Sequence, residues 1–201
     1  MTDPTPSDAA LDVDDDGPFD LTEDVGMSRS LRSAIEWGAV IVGALVIALV
    51  VKVFLIQAFY IPSESMYPTL KISDRVLVNK LDRGVGGIDR GDVIVFDRPG
   101  GPAADGISEL IKRVIALPGE TIEGEDGRIK IDGEFIEESY LPDGVTTSTF
   151  GPETVPAGHV WVMGDNRGAS DDSRRFKFIP EEDIVGTAFV IIWPIGDVST
   201  L

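Results

Sequence analysis

The sequence lacks cysteine and contains a single histidine, His159. The absence of cysteine excludes disulfides, thiolate metal sites and cysteine nucleophiles. One histidine excludes a histidine-rich zinc site, and we expect no metal and no cofactor. Basic residues are also scarce, because 17 lysines and arginines stand against 35 acidic residues, a formal net charge of −18. Since a phosphate-binding surface needs positive charge, nucleic acid is not an expected partner.

The negative charge is concentrated near the N-terminus. Residues 1–28 contain no Lys or Arg and nine acidic residues: Asp3, Asp8, Asp12, Asp14, Asp15, Asp16, Asp20, Glu23 and Asp24. A segment this acidic, short of aromatics and interrupted by prolines, cannot bury enough apolar surface to order itself. We therefore predict a disordered acidic tail over residues 1–33. Recruitment of a basic partner is the alternative function for it.

One long apolar run follows the tail. Ala34–Ile56 would extend roughly 34 Å as a helix, enough to cross a membrane, and no charge interrupts Trp37–Val51. A cleaved signal peptide would carry a small-x-small site after a shorter core, and a core helix would not be apolar on every face. We predict one uncleaved transmembrane anchor. The flanking positive charges do not decide its orientation.

Residues 57–201 change to a period-two pattern rich in Val, Ile and Phe. The predicted strands are Arg75–Lys80, Asp92–Asp97, Glu109–Leu117, Arg128–Asp132, Glu134–Glu137, His159–Met163 and Ile184–Trp193. Asp132-Gly133 predicts a type I′ hairpin turn within Ile129–Ile136. No amphipathic helix of ten residues occurs here. The pattern therefore predicts a mostly β, antiparallel domain.

Three segments of this domain carry residues suited to chemistry. Ser63 and Ser65 lie between two prolines just after the anchor, and Lys112 lies in an apolar strand beside Leu110 and Val114. A buried lysine has a lowered pKa and can activate a serine. The third segment, Met163–Arg175, is a polar loop that could bind calcium, stay solvated, or form an Asp–Arg network in which Ser170 orients a buried amine.

These segments, in this order after one membrane span, resemble the bacterial type I signal peptidases. Pro62–Leu70 matches the family pattern P-S-x-S-M-x-P-T-L, and Met163–Arg174 contains the pattern G-D-N-R-x-x-S-x-D-S-R. Gly91–Phe96 and Ile111–Glu120 resemble the two boxes between them. The resemblance covers roughly residues 57–194. Gly168-Ala169 departs from the polar pair common in the last box.

The resemblance implies a role for each matching residue. Ser65 would be the nucleophile and Lys112 the general base, while the Ser63 hydroxyl and the Ser65 N–H would form the oxyanion hole. Ser170 would orient the lysine amine. The remaining matches would support that loop: Asp172 and Arg174 hold it, and Asp165 and Arg167 are structural.

The resemblance also implies a β-rich catalytic core with a small β insertion, here within about residues 120–155. Family members cut secretory preproteins after small-x-small motifs at the membrane surface. The expected partners are therefore signal peptides and membrane lipid, with the chain acting as a monomer. The N-terminus would be cytoplasmic and the catalytic domain would lie on the outer face. A shallow apolar pocket would select small side chains, and its expected lining is Phe59, Ile61, Met66, Leu70 and Ile111.

Two rival hypotheses remain at the level of the sequence. A Ser-His relative would use His159, which directly precedes a strand and the polar loop, as the base. A non-enzymatic anchored β-domain that binds a surface partner would explain the anchor and the strands. It would leave the boxes around Ser65, Lys112 and Ser170 as coincidence.

Overall fold

The computed structural model describes residues 29–81, 87–102, 104 and 106–201. The predicted acidic tail lies outside the described residues as far as position 28. Its last five residues are helical instead, because helix α1 begins at Arg29 and runs to Val50. Arg32 and Glu36, one turn apart with Nε and Oε1 separated by 3.5 Å, support the first turn.

Helix α1 is long and apolar enough to cross a membrane, with a mean hydropathy of 2.2 over Ser30–Val50. From Ser30 to Val50 every residue except Gly43 is exposed, which does not fit a core helix. The α-helical part of the predicted anchor ends at Val50. Val51–Leu55 forms one wider π-helical turn, and Ile56 already opens strand β1.

Twelve strands follow in the described part of the chain, and they form two antiparallel sheets. The large sheet has the order β1-β2-β11-β3-β4-β9-β10, with β12 against β11. Its strands are β1 Ile56–Tyr60, β2 Arg75–Asn79, β3 Val93–Asp97, β4 Glu109–Ala116, β9 His159–Met163, β10 Ile179–Pro180, β11 Ile184–Trp193 and β12 Ser199–Thr200. The mostly β, antiparallel architecture predicted from the sequence is confirmed.

The small sheet has the order β7-β6-β5-β8. Its strands are β5 Thr121–Glu125, β6 Arg128–Ile131, β7 Glu134–Phe135 and β8 Phe150–Thr154. Asp132 and Gly133 both have positive φ, 51° and 86°, and Ile131 pairs with Glu134. This is the geometry of a type I′ turn, so the hairpin prediction is confirmed. The sheet forms one excursion of the chain between β4 and β9.

Trp161 of β9 joins the two sheets. It is fully buried, stacks on Phe150 of β8 with ring centroids 5.3 Å apart, and meets Phe178 edge-on at 5.7 Å. Such aromatic pairs stabilise a core beyond the area they bury. The same cluster takes in Ile115 of β4 and Ile129 of β6, so one apolar layer fixes the small sheet against the large one.

Two short helical segments and one α-helical turn complete the described residues. Helix α2 is the turn Ser173–Phe176, which directly follows the polar loop after β9. Glu181–Asp183 and Ile195–Asp197 are single 3₁₀ turns. The loop after β9 is thus held between a buried strand and a short capped helix, which limits the positions it can adopt.

Candidate active site

Ser65 lies in the connection from β1 to β2, which is folded back by its own backbone bonds. Ile61 N donates to Asp74 O at 2.9 Å and Leu70 N donates to Met66 O at 2.9 Å. Met66 and Leu70 are fully buried in the core cluster that contains Ile61 and Ile111. These buried side chains hold the turn on the sheet and leave Ser65 8% exposed.

Lys112 comes from the middle of β4 and reaches the serine directly. Its Nζ donates to Ser65 Oγ at 2.8 Å and to Ile111 O at 2.8 Å. Lys112 is 3% exposed, and burial lowers its pKa from 10.5 to about 8, against the opposing charges of Asp172 and Asp171. A lysine with this pKa is neutral in a useful fraction near neutral pH. It can then accept the serine proton.

Ser63 stands two residues before the serine. Its Oγ lies 3.4 Å from Ser65 Oγ, and it lines the same cavity as Ser65 and Lys112. A hydroxyl in this position can donate to an oxygen that forms beside Ser65 Oγ. The geometry is therefore compatible with the oxyanion role that the family resemblance implies for Ser63.

The loop after β9 approaches the serine from the other side. Asn166 N donates to Ser65 O at 3.1 Å, and Asn166 Nδ2 donates to Glu64 O at 3.1 Å. Gly164 lies so close to Ser65 O and Ser170 Oγ that a Cβ at this position would overlap both atoms. Only glycine fits between the loop and the serine without displacing one of them.

Asp172 is the anchor of this loop. Its carboxylate, which is fully buried, accepts from Gly164 N at 3.0 Å and from Arg174 Nε and Nη2 at 2.8 Å each. Burial by itself raises the pKa of Asp172, but the Arg174 guanidinium and the Gly164 N–H outweigh it and lower the pKa. Asp172 also caps helix α2. Asp172 and Arg174 thus stand where a loop-holding pair is expected.

Ser170 does not contact the lysine amine in the way the resemblance implies. Its Oγ is buried and lies close enough to Asp172 to help lower the pKa of that carboxyl, although no well-formed hydrogen bond joins them, while Ile111 O takes the second bond from Lys112 Nζ. The carbonyl belongs to the residue next to the lysine, so it is in place whatever the loop does. The structure brings Ser170 to Gly164 and Ser65 O, and its role towards Lys112 stays a prediction.

Asp165 and Arg167 fix the loop to two other parts of the domain. Asp165 accepts from Arg113 of β4 and from Thr69 Oγ1 of the serine turn, the latter at 2.5 Å. Arg167 Nη1 and Nη2 donate to Glu138 at 2.9 and 2.5 Å. Thr69, Arg113 and Glu138 were not singled out from the sequence. No local pattern reveals them, because each partner lies at least 29 positions away.

A small cavity of about 60 Å³ opens beside the serine and the lysine. Its apolar walls include Phe59, Ile61 and Ile111, three of the five residues expected there. Met66 and Leu70 do not line it. They are fully buried, because packing the serine turn on the sheet uses both side chains. The cavity walls also contain Val95, Leu110 and, at the exposed rim, Glu109.

The structure argues against the Ser-His hypothesis and against a calcium-binding loop. His159 lies at the start of β9, beside Pro180, with Nδ1 3.0 Å from Ala157 O, whereas the polar loop leaves the other end of that strand. It is therefore not placed to activate Ser65. Within the described ranges, no group of three or more His, Asp or Glu residues could hold a metal ion. The carboxylates of Asp165 and Asp172 bind arginines, which speaks against a calcium loop.

The chain is similar to several known proteins. The family model described as "Signal peptidase, peptidase S26" matches residues 34–193. A signal peptidase I of Leptolyngbya laminosa is 40% identical over 166 residues, 79% of each chain. A signal peptidase I of Bacillus amyloliquefaciens is 36% identical over 88% of this chain and 94% of its own. A crystal structure of a signal peptidase I from Enterococcus faecalis V583 is 32% identical, covering 50% of this chain and 95% of that one, with a TM-score of 0.41.

Proposed function

The chain belongs to the signal peptidase family, peptidase S26, and on that premise we propose that it removes signal peptides from secretory preproteins as a Ser-Lys serine endopeptidase. The observation that carries this proposal is the 2.8 Å contact between Lys112 Nζ and Ser65 Oγ, both groups being buried. Geometry of this kind pairs a nucleophile with a base within hydrogen-bond reach. A surface-binding module would not need it.

In the proposed reaction, neutral Lys112 takes the proton of Ser65 Oγ as this oxygen attacks the scissile carbonyl carbon. The C=O electron pair moves onto the carbonyl oxygen, where the Ser65 N–H and the Ser63 hydroxyl stabilise the negative charge. Collapse of the tetrahedral intermediate breaks the C–N bond. Lys112, now an ammonium, gives its proton to the leaving amine, which is the N-terminus of the mature protein.

The acyl group then remains on Ser65 Oγ, and Lys112 is neutral again. A water molecule entering from the cavity gives its proton to Lys112 while its oxygen attacks the ester carbon. Collapse releases the carboxylate end of the signal peptide and returns the proton to Ser65 Oγ. Ile111 O, which bonds the amine at 2.8 Å, keeps Nζ aimed at the serine through both steps.

The edge of β4 supports binding of an extended substrate. β4 pairs with β9 only from Arg113 onward, so Glu109–Lys112 has no β9 partner on that side. An extended peptide can add to such an edge through main-chain bonds. Its side chains nearest the cut would then face Ile61 and Ile111, whose bulk leaves room for alanine-sized groups. This supports cleavage after small-x-small motifs.

The apolar helix supports membrane attachment of the enzyme. Ser65 follows the end of the predicted anchor, Ile56, by nine residues. We assign the N-terminus to the cytoplasm and the catalytic domain to the outer face, where signal peptides emerge. The proposed partners are signal peptides and membrane lipid, and the chain acts as a monomer.

The test is cleavage of a preprotein by the detergent-solubilised full-length chain, with the cut mapped by mass spectrometry. A preprotein with Ala one and three residues before the cut should be processed, and one with Phe directly before the cut should not. Ser65→Ala should abolish processing without lowering the melting temperature. Retained cleavage by Ser65→Ala, or no cleavage by the wild type, would contradict the proposal and favour a binding module.

A further inference from the structure

Arg98 is a charged residue at the rim of the site that the family motifs do not include. It directly follows β3, and its backbone N donates to Ser108 O at 2.7 Å, one residue before β4 begins. Its guanidinium Nη2 lies 3.6 Å from Asp171 Oδ2, with the two side chains 28% and 41% exposed. This hydrogen bond holds the backbone of Arg98 beside the start of β4, and the side chain of Arg98 extends to the polar loop.

The ion pair spans the strand that carries Lys112. In the large sheet β4 lies between β3 and β9. Arg98 belongs to the β3 side, while Asp171 belongs to the loop that leaves β9. Their contact therefore ties the two neighbours of β4 together. Asp171 stands between Ser170 and Asp172, so the contact also holds the part of the loop nearest the serine.

The charges around Lys112 are otherwise mostly negative. Three carboxylates of the loop after β9 favour the Lys112 ammonium: Asp172, Asp171 and Asp165. The charge of Arg98 opposes them and favours the neutral amine.

The other nearby arginines are already paired with carboxylates. Arg113, the next residue on β4, binds Asp165, and Arg174 binds Asp172. Arg98 stands at the end of β3 and Glu109 at the start of β4. Arg175, on the turn after the polar loop, is a second cationic partner of Asp171, with Nη1 3.3 Å from Oδ1, and Glu64 lies in the serine turn.

We propose that Arg98 is a positioning residue of the active site, which holds the Ser170-bearing loop across β4 through Asp171 and supplies a fixed positive charge that favours the neutral form of Lys112. The inference rests on the proposed function, because it concerns the base of that reaction. Arg98 and Asp171 do not touch the substrate in this proposal. They influence the pH at which Lys112 becomes neutral, and so the pH range in which the protein is active.

The proposal predicts opposite effects for the two partners. Removing Arg98 deletes a cation near Lys112 and leaves the Asp171 carboxylate paired with the more exposed Arg175, and the loss of this cation favours the lysine ammonium. The acid limb of the kcat/KM profile should therefore move to higher pH, by roughly half a pH unit for one partly exposed charge. Removing the charge of Asp171 should move the limb to lower pH by a similar amount.

The experiment measures kcat/KM against pH for the full-length chain in detergent, with one preprotein substrate. The variants are Arg98→Ala, Arg98→Lys and Asp171→Asn. Lys177→Ala serves as a matched control, because it removes one cation from the exposed Lys177–Glu153 pair at the surface. We expect an upward shift for Arg98→Ala, near-wild-type behaviour for Arg98→Lys and for the control, and a downward shift for Asp171→Asn.

A merely structural role would lower the plateau of kcat/KM in both Arg98→Ala and Asp171→Asn and leave the limb in place. That result would overturn the inference, as would shifts of the same sign. The proposed function is tested separately by the wild-type profile. If the wild type shows no ionisation in its acid limb, the lysine mechanism itself is wrong, whereas an ionisation that none of the variants moves contradicts only the role of Arg98.

Discussion

Arg113 binds both carboxylate oxygens of Asp165, with Nε to Oδ1 at 2.9 Å and Nη2 to Oδ2 at 2.7 Å. The pair is buried, the side chains being 8% and 0% exposed. Arg113 directly follows Lys112 on β4, and the carboxylate also accepts from Thr69, four residues after Ser65. One ion pair thus joins the lysine strand, the serine turn and the polar loop.

Asp165→Asn should destabilise the protein strongly, because it leaves a buried guanidinium without its counter-charge. Breaking one side of a buried pair costs about 3–5 kcal/mol of unfolding free energy. The measurement is denaturant unfolding of the detergent-solubilised chain, with Asp143→Asn in an exposed turn as the control. Equal midpoints for the two variants would show that the ion pair does not support the fold.

Gly164→Ala adds only one methyl group, but it should strongly reduce kcat for preprotein cleavage. The added methyl group would overlap Ser65 O and Ser170 Oγ and push Ser65 away from Lys112. A displacement of about 1 Å at a reacting atom costs on the order of 10²-fold in rate. Gly168→Ala is the matched control in the same loop, since a Cβ there meets nothing within 4 Å. If both variants keep wild-type kcat, the loop is not pressed against the serine as described.

His159→Ala should retain nearly all of kcat/KM for preprotein cleavage. The imidazole is at the far end of β9 from the polar loop and bonds a nearby backbone carbonyl. Lys112→Ala, assayed in parallel, should lose the activity. Loss of activity in His159→Ala alone would revive the Ser-His hypothesis.

Lys112→Met should make the protein inactive and more stable at neutral pH. The folded pKa of about 8 lies below the unfolded value of 10.5, so the unfolded chain binds more protons between these pH values. The resulting penalty is complete below pH 8, about 3 kcal/mol, and it fades as pH rises towards 10.5. Methionine carries no charge, so the Lys112→Met variant does not have this penalty in its free energy of unfolding.

The check is the unfolding free energy of wild type and Lys112→Met between pH 7 and 10.5. The gap between them should be largest at pH 7 and should shrink as the wild type gains stability with rising pH. The exposed replacement Lys177→Met should show no such dependence. A gap that widens with pH would mean that Lys112 is not held by burial in its neutral form.

Those strands and turns that depend on a local sequence pattern were predicted from the sequence. Alternating Val and Ile gave β2, β3 and β4, and Asp132-Gly133 gave the hairpin. Five strands were not predicted: β1, β5, β8, β10 and β12. Strands β1 and β8 were missed for clear physical reasons. Ile56–Tyr60 continues the apolar run of the anchor, and Phe150–Thr154 contains a glycine and a proline, which weaken any strand pattern.

The site was predictable only as far as the motif residues themselves. The family resemblance paired Ser65 with Lys112, and in the structure the two side chains lie 2.8 Å apart. The partners of the supporting residues, such as Glu138 for Arg167, come from distant loops whose position depends on the assembled sheets. The lining of the cavity was also not predictable in full, since Ile61, Met66, Leu70 and Ile111 share one core cluster but only Ile61 and Ile111 also reach the cavity.

The central claim is that Lys112 acts as a neutral base towards Ser65, and the most direct measurement is kcat/KM against pH for wild type and Lys112→Arg. The wild type should rise with pH through a single ionisation near pH 8, because only the neutral amine accepts the serine proton. Lys112→Arg should be as inactive as Lys112→Ala at every pH, since a guanidinium keeps its proton. Appreciable turnover by Lys112→Arg, or a wild-type profile that is flat between pH 6 and 10, would contradict the general-base mechanism.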